Sequence, residues 1–267
     1  MDVLADIVAT KRTEVEQRQQ QVPLAKLQAM VKDLPPTRDF LGALRGGPPL
    51  RLIAEVKKAS PSAGLIRPDF DPVQIARAYA AGGATCLSVL TDKRYFQGDL
   101  AYLQLIREQV ALPLLRKDFV IDPYQIYEAR VAGADAVLLI AECLTAGQLR
   151  DFYQLGRSLN LAVLSELHDA ANLDAILDSG TELIGVNNRD LRTFHVDTQQ
   201  TLRIRAQVPR DRVLVGESGV KDRALVLEWQ AAGVDAMLVG ETLMRQADLT
   251  IAVRELLGTN VADHTSV

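Results

Sequence analysis

The chain is poor in the residues that chelate, bridge or span. Only two cysteines occur among its 267 residues, Cys86 and Cys143, each inside an apolar run. So placed, they read as buried, reduced thiols of a cytosolic protein, not as a disulfide or a metal site. Histidine is limited to His168, His195 and His264. With no H-E-x-x-H, no C-x-x-C and no carboxylate–histidine cluster, no metal is expected, and there is no P-loop. No apolar run reaches the roughly 18 residues of a membrane span, and the polar, acidic start lacks a signal-peptide pattern. The expectation is a soluble, cytoplasmic protein. Positive charge is short as well: 30 Lys and Arg against 34 Asp and Glu leave a net charge of −4. That balance argues against a nucleic-acid surface, so any anionic ligand has to be met by a few local groups.

What the chain does have is repetition. "AGGATCLSVL" from Ala81, "AGADAVLLI" from Ala132 and "AGVDAMLVG" from Ala232 nearly copy one another. Each reads as a helix end, a glycine cap and a strand buried on both faces. Strand-like runs near 51–57, 85–90, 113–117 and 136–140, then 161–166, 182–187, 212–217 and 235–239, alternate with helical patterns. Eight such units predict a TIM (β/α)8 barrel. A doubly wound open sheet is the alternative, but no G-x-G-x-x-G follows the first strand and the repeats run evenly to the end. The segment "DVLADIVATKRTEVEQRQQ" has apolar Val3, Leu4, Ile7, Val8 and Val15 at helical spacing, which predicts an extra amphipathic helix on the barrel. Pro35, Pro36, Pro48 and Pro49 then mark an irregular connection. One domain is expected: leading helical segment over 1–50, barrel over 51–257 and a frayed tail over 258–267.

Charges sit where the strands should finish. Alternation places Ile53, Glu55 and Lys57 on one face, and likewise Leu115 with Lys117, Leu164 with Glu166, Gly185 with Asn187 and Val215 with Glu217. A single such charge is usually solvated or ion-paired. Five strands of one barrel ending this way point to a site, because barrel enzymes assemble theirs at the carboxyl ends of strands and buried unpaired charge is costly. Glycines in "GESGV" (216–220) and "VGETLM" (239–244) predict backbone N–H groups and helix N-termini after the last two strands, where barrels often hold phosphate. Ser60, Ser62 and Lys58 in "KKASPSAG" could add donors, and Tyr95 and Phe96 in "LTDKRYFQGD" could stack on a planar substrate or anchor their loop to a helix. His168 reads as a surface residue at a helix start. The residue types stop at a phosphate-binding barrel enzyme with acid–base groups. A phosphosugar isomerase or epimerase, or a barrel that only binds a phosphometabolite, remains open.

In order and spacing, "AEVKKASPSAG", "SVLTDKRYFQGD", "LLRKDFVIDPYQI", "SELHD", "GVNNRDL", "GESGV" and "LVGETLM" resemble the indole-3-glycerol phosphate synthase family over nearly the whole chain. The resemblance implies a tryptophan-pathway lyase. It closes the indole ring of 1-(2-carboxyphenylamino)-1-deoxyribulose 5-phosphate with loss of carbon dioxide and water, without metal or organic cofactor. It implies Lys117 as general acid, Lys57 and Asn187 on the departing carboxylate, and Glu166 and Glu55 in the dehydration. Phe96 and Phe119 would flank the anthranilate ring. Ser60, Gly219, Gly240 and Glu241 would meet the phosphate, Ser218 the ribulose hydroxyls, and Glu217 and Arg189 the substrate. Crowded lysines and a dry pocket would ease deprotonation of Lys117. Two departures stand out: Glu241 is acidic beside a phosphate, so its backbone N–H is expected to serve, and Ala59 omits a cation that some relatives carry. The expected partner is a small phosphorylated metabolite, with no nucleic acid and no membrane. A homo-oligomer or a docked pathway enzyme is left open.

Overall fold

The computed structural model describes residues 3–46, 49–190 and 193–259. Eight parallel strands follow the predicted spans: β1 Arg51–Val56, β2 Cys86–Leu90, β3 Leu114–Lys117, β4 Ala136–Ile140, β5 Ala162–Leu167, β6 Leu183–Asn187, β7 Val213–Glu217 and β8 Ala236–Val239. Each pairs with its sequence neighbours, and β8 closes on β1 with Ile53 opposite Leu238, so the sheet is a closed barrel and not an open one. Inward residues fill the interior as apolar layers, among them Ile53, Leu115, Leu138, Leu164, Val215 and Leu238. Outward residues such as Leu52, Leu87 and Val137 pack under the helices. Burial on both faces explains why these strands read as continuous hydrophobic runs.

The helices begin where short acidic side chains cap them. Asp71 precedes α4 (Pro72–Gly82) and Asp122 precedes α6 (Pro123–Val131), each accepting a backbone N–H ahead of an N1 proline. Thr145 opens α7 (Ala146–Ser158) with a capping box. The remaining barrel helices are α5 (Ala101–Arg107), α8 (Leu173–Asp178), α9 (Gln199–Arg205), α10 (Arg223–Ala232), α11 (Glu241–Met244) and α12 (Leu249–Leu257). The glycine of each repeat, Gly83, Gly133 and Gly233, has a left-handed φ of 100°, 89° and 79°, as the reading of helix-end glycines required.

Three helices precede the barrel: α1 (Val3–Gln21), α2 (Leu24–Val31) and α3 (Phe40–Leu44). The first was expected. The other two were not singled out within the leading helical segment, and the Pro35–Pro36 stretch between them is irregular, as its prolines imply. Phe40 and Leu44 join the interior residues of the barrel, and the Phe40 carbonyl faces Cys86 at the start of β2, so α3 plugs the amino-terminal end. A second unforeseen element is the two-residue hairpin of Ala59–Ser60 with Gly64–Leu65 in the loop after β1. Cys86 is buried as expected, whereas Cys143 is only half-buried. No helix of the described residues is long and apolar enough to cross a membrane. Pro48, His264 and the expected frayed tail beyond residue 259 lie outside the described residues.

Candidate active site

The carboxyl ends of the strands converge on one cavity of about 550 Å³. Its floor is a chain of polar contacts. Lys117 Nζ donates to Glu166 Oε2 at 2.9 Å and lies 3.6 Å from Glu217 Oε2. Asn187 Nδ2 donates to Glu166 Oε1 at 3.1 Å, and Ser218 Oγ donates to Asn187 Oδ1 at 2.9 Å. Across the barrel Lys57 pairs with Glu55 at 2.6 Å. The structure thus answers which lysine stands with which carboxylate, and Glu217 shares Lys117 with Glu166. Two glycines make the room: a Cβ at Gly185 would collide with the Glu217 carboxylate, and one at Gly240 with those of Glu55 and the tip of Lys57.

Charge is strongly coupled here. Burial would lower the Lys117 pKa, but Glu166, Glu217 and Glu55 outweigh it and hold the ammonium above its ordinary value. The expectation of an easily deprotonated lysine is therefore wrong, because carboxylates, not lysines, crowd it. Burial pushes Glu166 up, yet Lys117 and its hydrogen bonds bring it below the usual carboxylate range. Glu217 goes the other way: burial and the neighbouring Glu166 charge raise it well above that range. The two carboxyl groups beside Lys117 are thus pushed apart, Glu166 towards the ionised form and Glu217 towards the protonated one.

One wall is apolar. Phe96, from the loop after β2, and Phe119, just past β3, face each other at 6.1 Å between centroids, with Leu138, Ile140 and, from α1, Leu4 and Ile7 beside them. The two loop aromatics divide the readings offered for them. Phe96 lines the cavity, while Tyr95 anchors the loop, its hydroxyl 3.0 Å from Thr10 Oγ1 and donating to the Asp6 carbonyl.

The opposite wall is backbone. Ser218 and Gly219 both have left-handed φ values, 63° and 88°, and turn the loop after β7 into the cavity. Helices follow both of the last strands, as expected. After β7, α10 starts at Arg223, and in its first turn the Asp222 side chain accepts from Leu225 N. After β8, α11 starts at the mouth behind Gly240 with no side-chain cap. Thr242 Oγ1 donates to the Val220 carbonyl at 2.6 Å and ties α11 to the loop after β7. Glu241 turns its carboxylate to Arg245 at 2.8 Å and lies 3.8 Å from Arg189. Its side chain is engaged, in keeping with a role for its N–H. Ser60 and Ser62 line the cavity, whereas Lys58, His168 and His195 do not. His168 Nδ1 meets the Asn187 carbonyl at 2.9 Å from outside.

Sequence reasoning passed over the layer behind. Asn188, fully buried, donates to the Glu217 and Ser218 carbonyls while its Oδ1 accepts from Thr201 N and Oγ1. Asp92, Asp118 and Arg116 are buried beside the mouth, joined to Lys11 of α1. Lys11 had a signal: it falls one turn from both Ile7 and Val15, on the buried face of its helix.

A family model described as indole-3-glycerol phosphate synthase matches residues 4–256. Relatives of that name include those of Rhodopirellula baltica, 54% identical over 97% of this chain and 100% of the relative, and Acidithiobacillus ferrooxidans, 52% identical over 96% and 98%. Among solved structures, a 3-hexulose-6-phosphate synthase superposes with a TM-score of 0.64 at 14% identity, covering 79% of this chain and 99% of that one. A tryptophan synthase alpha-subunit from Pyrococcus furiosus does so at 0.59 and 15%, covering 78% and 98%. These two share the barrel fold. By the full-length match in sequence, the chain belongs to the indole-3-glycerol phosphate synthase family.

Proposed function

We propose that this protein converts 1-(2-carboxyphenylamino)-1-deoxyribulose 5-phosphate to indole-3-glycerol phosphate, carbon dioxide and water, in the cytoplasm, as a step of tryptophan biosynthesis. The observation that carries the reading is the order of the walls. An aromatic slot at Phe96 and Phe119, an acid–base floor at Lys117 and Glu166 and a backbone cradle at 218–220 and 240–242 all line one cavity. They match a substrate with an aryl ring, a ketose and a phosphate in that order.

In this reading the aromatic carbon that bears the carboxylate attacks the ketone, and Lys117 protonates the forming alkoxide. Its raised pKa keeps it in the ammonium form needed to donate. Lys57 and Asn187 hold the carboxylate until carbon dioxide leaves and aromaticity returns. The new tertiary hydroxyl then departs as water with a proton from an ammonium, while a carboxylate, Glu166 or Glu55, removes the proton of the adjacent methylene. Glu217, its carboxyl raised by burial and by Glu166, meets the substrate, with Ser218 beside the ribulose hydroxyls. Ser60 and the N–H groups of Gly219, Gly240 and Glu241 receive the phosphate, and Arg189 closes over it.

The test is turnover of that substrate by the purified protein, followed by indole absorbance, with and without EDTA. Indole formation that EDTA leaves unchanged is the expected result. No product, or activity lost to EDTA and restored by a divalent cation, would overturn the reading.

A further inference from the structure

The Lys11 side chain is 1% exposed, yet its ammonium belongs to α1, outside the barrel. It pairs with Asp92 Oδ2 at 2.6 Å and Asp118 Oδ1 at 3.0 Å, and with Glu14 of its own helix at 2.8 Å. Neither aspartate is a bystander. Asp92 Oδ1 accepts from the backbone N–H of Tyr95 at 2.7 Å and of Phe96 at 3.2 Å. Asp118 follows Lys117, and its Oδ1 accepts from Phe119 N at 2.9 Å. Its other oxygen is held by Thr91 at 2.6 Å and by Arg116, which reaches Glu128 and through it Arg18, again on α1.

One ammonium therefore links the two loops that carry the facing rings, from different strands, to the helix whose Leu4 and Ile7 complete the same wall. The ion pairs of Lys11 and Arg18 on α1 run to this side of the site. A buried ammonium with two buried partners adds little to stability that apolar packing would not supply, so its placement calls for another account.

We infer that Lys11 is a positioning residue for the aryl end of the substrate: by joining Asp92 and Asp118 it fixes the separation of Phe96 and Phe119 and seats α1 over them. The inference rests on the proposed reading for the identity of the aryl group. It concerns one half of the site, and that is what makes it testable.

Lys11→Met leaves Asp92 without its cation and Asp118 with Arg116 alone, and can fail to fold. The informative variant is Lys11→Met with Asp92→Asn, which balances charge while the amide oxygen still accepts from Tyr95 and Phe96. Inhibition constants of anthranilate and of inorganic phosphate, each against substrate turnover, are compared with those of the unaltered protein. The anthranilate constant should rise about tenfold or more while the phosphate constant stays within about twofold. Equal loss of both, loss of phosphate alone, or no change overturns the inference. A second arm needs no variant: in hydrogen exchange, anthranilate should protect residues 4–21 and 93–97 of the native protein and phosphate should not. Absence of that difference likewise overturns it. Failure of the unaltered protein to turn over substrate is a separate result, and it sinks the functional reading instead.

Discussion

Lys117 and Lys57 are both lysines at strand ends, but their partners differ. Lys117 is shared by Glu166 and Glu217, while Lys57 has Glu55. If Lys117 gives its proton in the transition state, Lys117→Met should lower kcat roughly 10²–10⁴-fold with KM little changed. Lys57→Met should raise the dissociation constant of carboxylate-bearing analogues as well as lower kcat if, as proposed, Lys57 meets the carboxylate before reaction. Single-turnover kinetics and inhibitor titration separate these outcomes, and near-normal kcat for the first variant would end its assignment. Thermal midpoints must be compared first, because each change orphans a buried carboxylate. Glu217 makes a prediction of its own. Below the ordinary carboxylate value it is protonated folded or unfolded. As pH rises the unfolded chain releases that proton while the fold retains it, so stability is lost through the interval up to the raised native value. Glu217→Gln, which mimics the acid, should lose this dependence and melt about 2–4 °C above the unaltered protein at pH 8, with a smaller gap at pH 5. Parallel melting profiles for the two would show that Glu217 is not the group responsible. The direction of these shifts was not legible beforehand. A sequence displays lysines and glutamates at strand ends but not which sign is closest to Lys117.

Elements differ in how openly the sequence announces them. The barrel strands were legible because burial on both faces gives uninterrupted apolar runs and because left-handed glycines end the helices before them. The same repeats hid a device: Asp135 and Asp235, just before β4 and β8, accept from Leu114 N at 2.9 Å and Leu214 N at 2.8 Å, stitching each strand's start to its neighbour. The hairpin over 59–65 was not legible, since two-residue strands leave no periodicity. Nor was the cap at Asp222, beside which the loop of Ser218 and Gly219 is the part of the proposed phosphate cradle that lines the cavity after β7. That loop is the place for a test. A side chain at Gly219 meets both a left-handed φ, costing about 1–2 kcal/mol, and the methyls of Thr198 and Val196. Gly219→Asp adds negative charge and should raise KM by tenfold or more on the scale of that strain. Unchanged KM would place the phosphate elsewhere. Gly240→Ala should act on the other pair, pushing Glu55 away from Lys57 and lowering kcat.

At the scale of the molecule the barrel has two unlike ends. The carboxyl end gathers Glu55, Glu166, Glu217 and Lys117, and the amino end is plugged by the apolar Phe40 and Leu44 of α3. Function is concentrated where the fold is least comfortable, so an anion that binds there should stabilise the whole. Inorganic phosphate at about 100 times its dissociation constant contributes about 2.7 kcal/mol, which at about 2–4 °C per kcal/mol should lift the melting midpoint by 5–10 °C. A midpoint indifferent to phosphate would count against the cradle.

The plug at α3 also decides traffic. Among the described residues the base is stoppered and the cavity lies at the carboxyl ends of the strands, so on the proposed reaction the substrate, carbon dioxide, water and the bulky indole would pass the same rim between Phe96 and Gly219. On that reading the indole product would keep its phosphate on the proposed cradle and occupy the entrance until it goes. Each turnover must clear the threshold before the next can start, and the product is thereby a competitor of the substrate for the doorway as well as for the site.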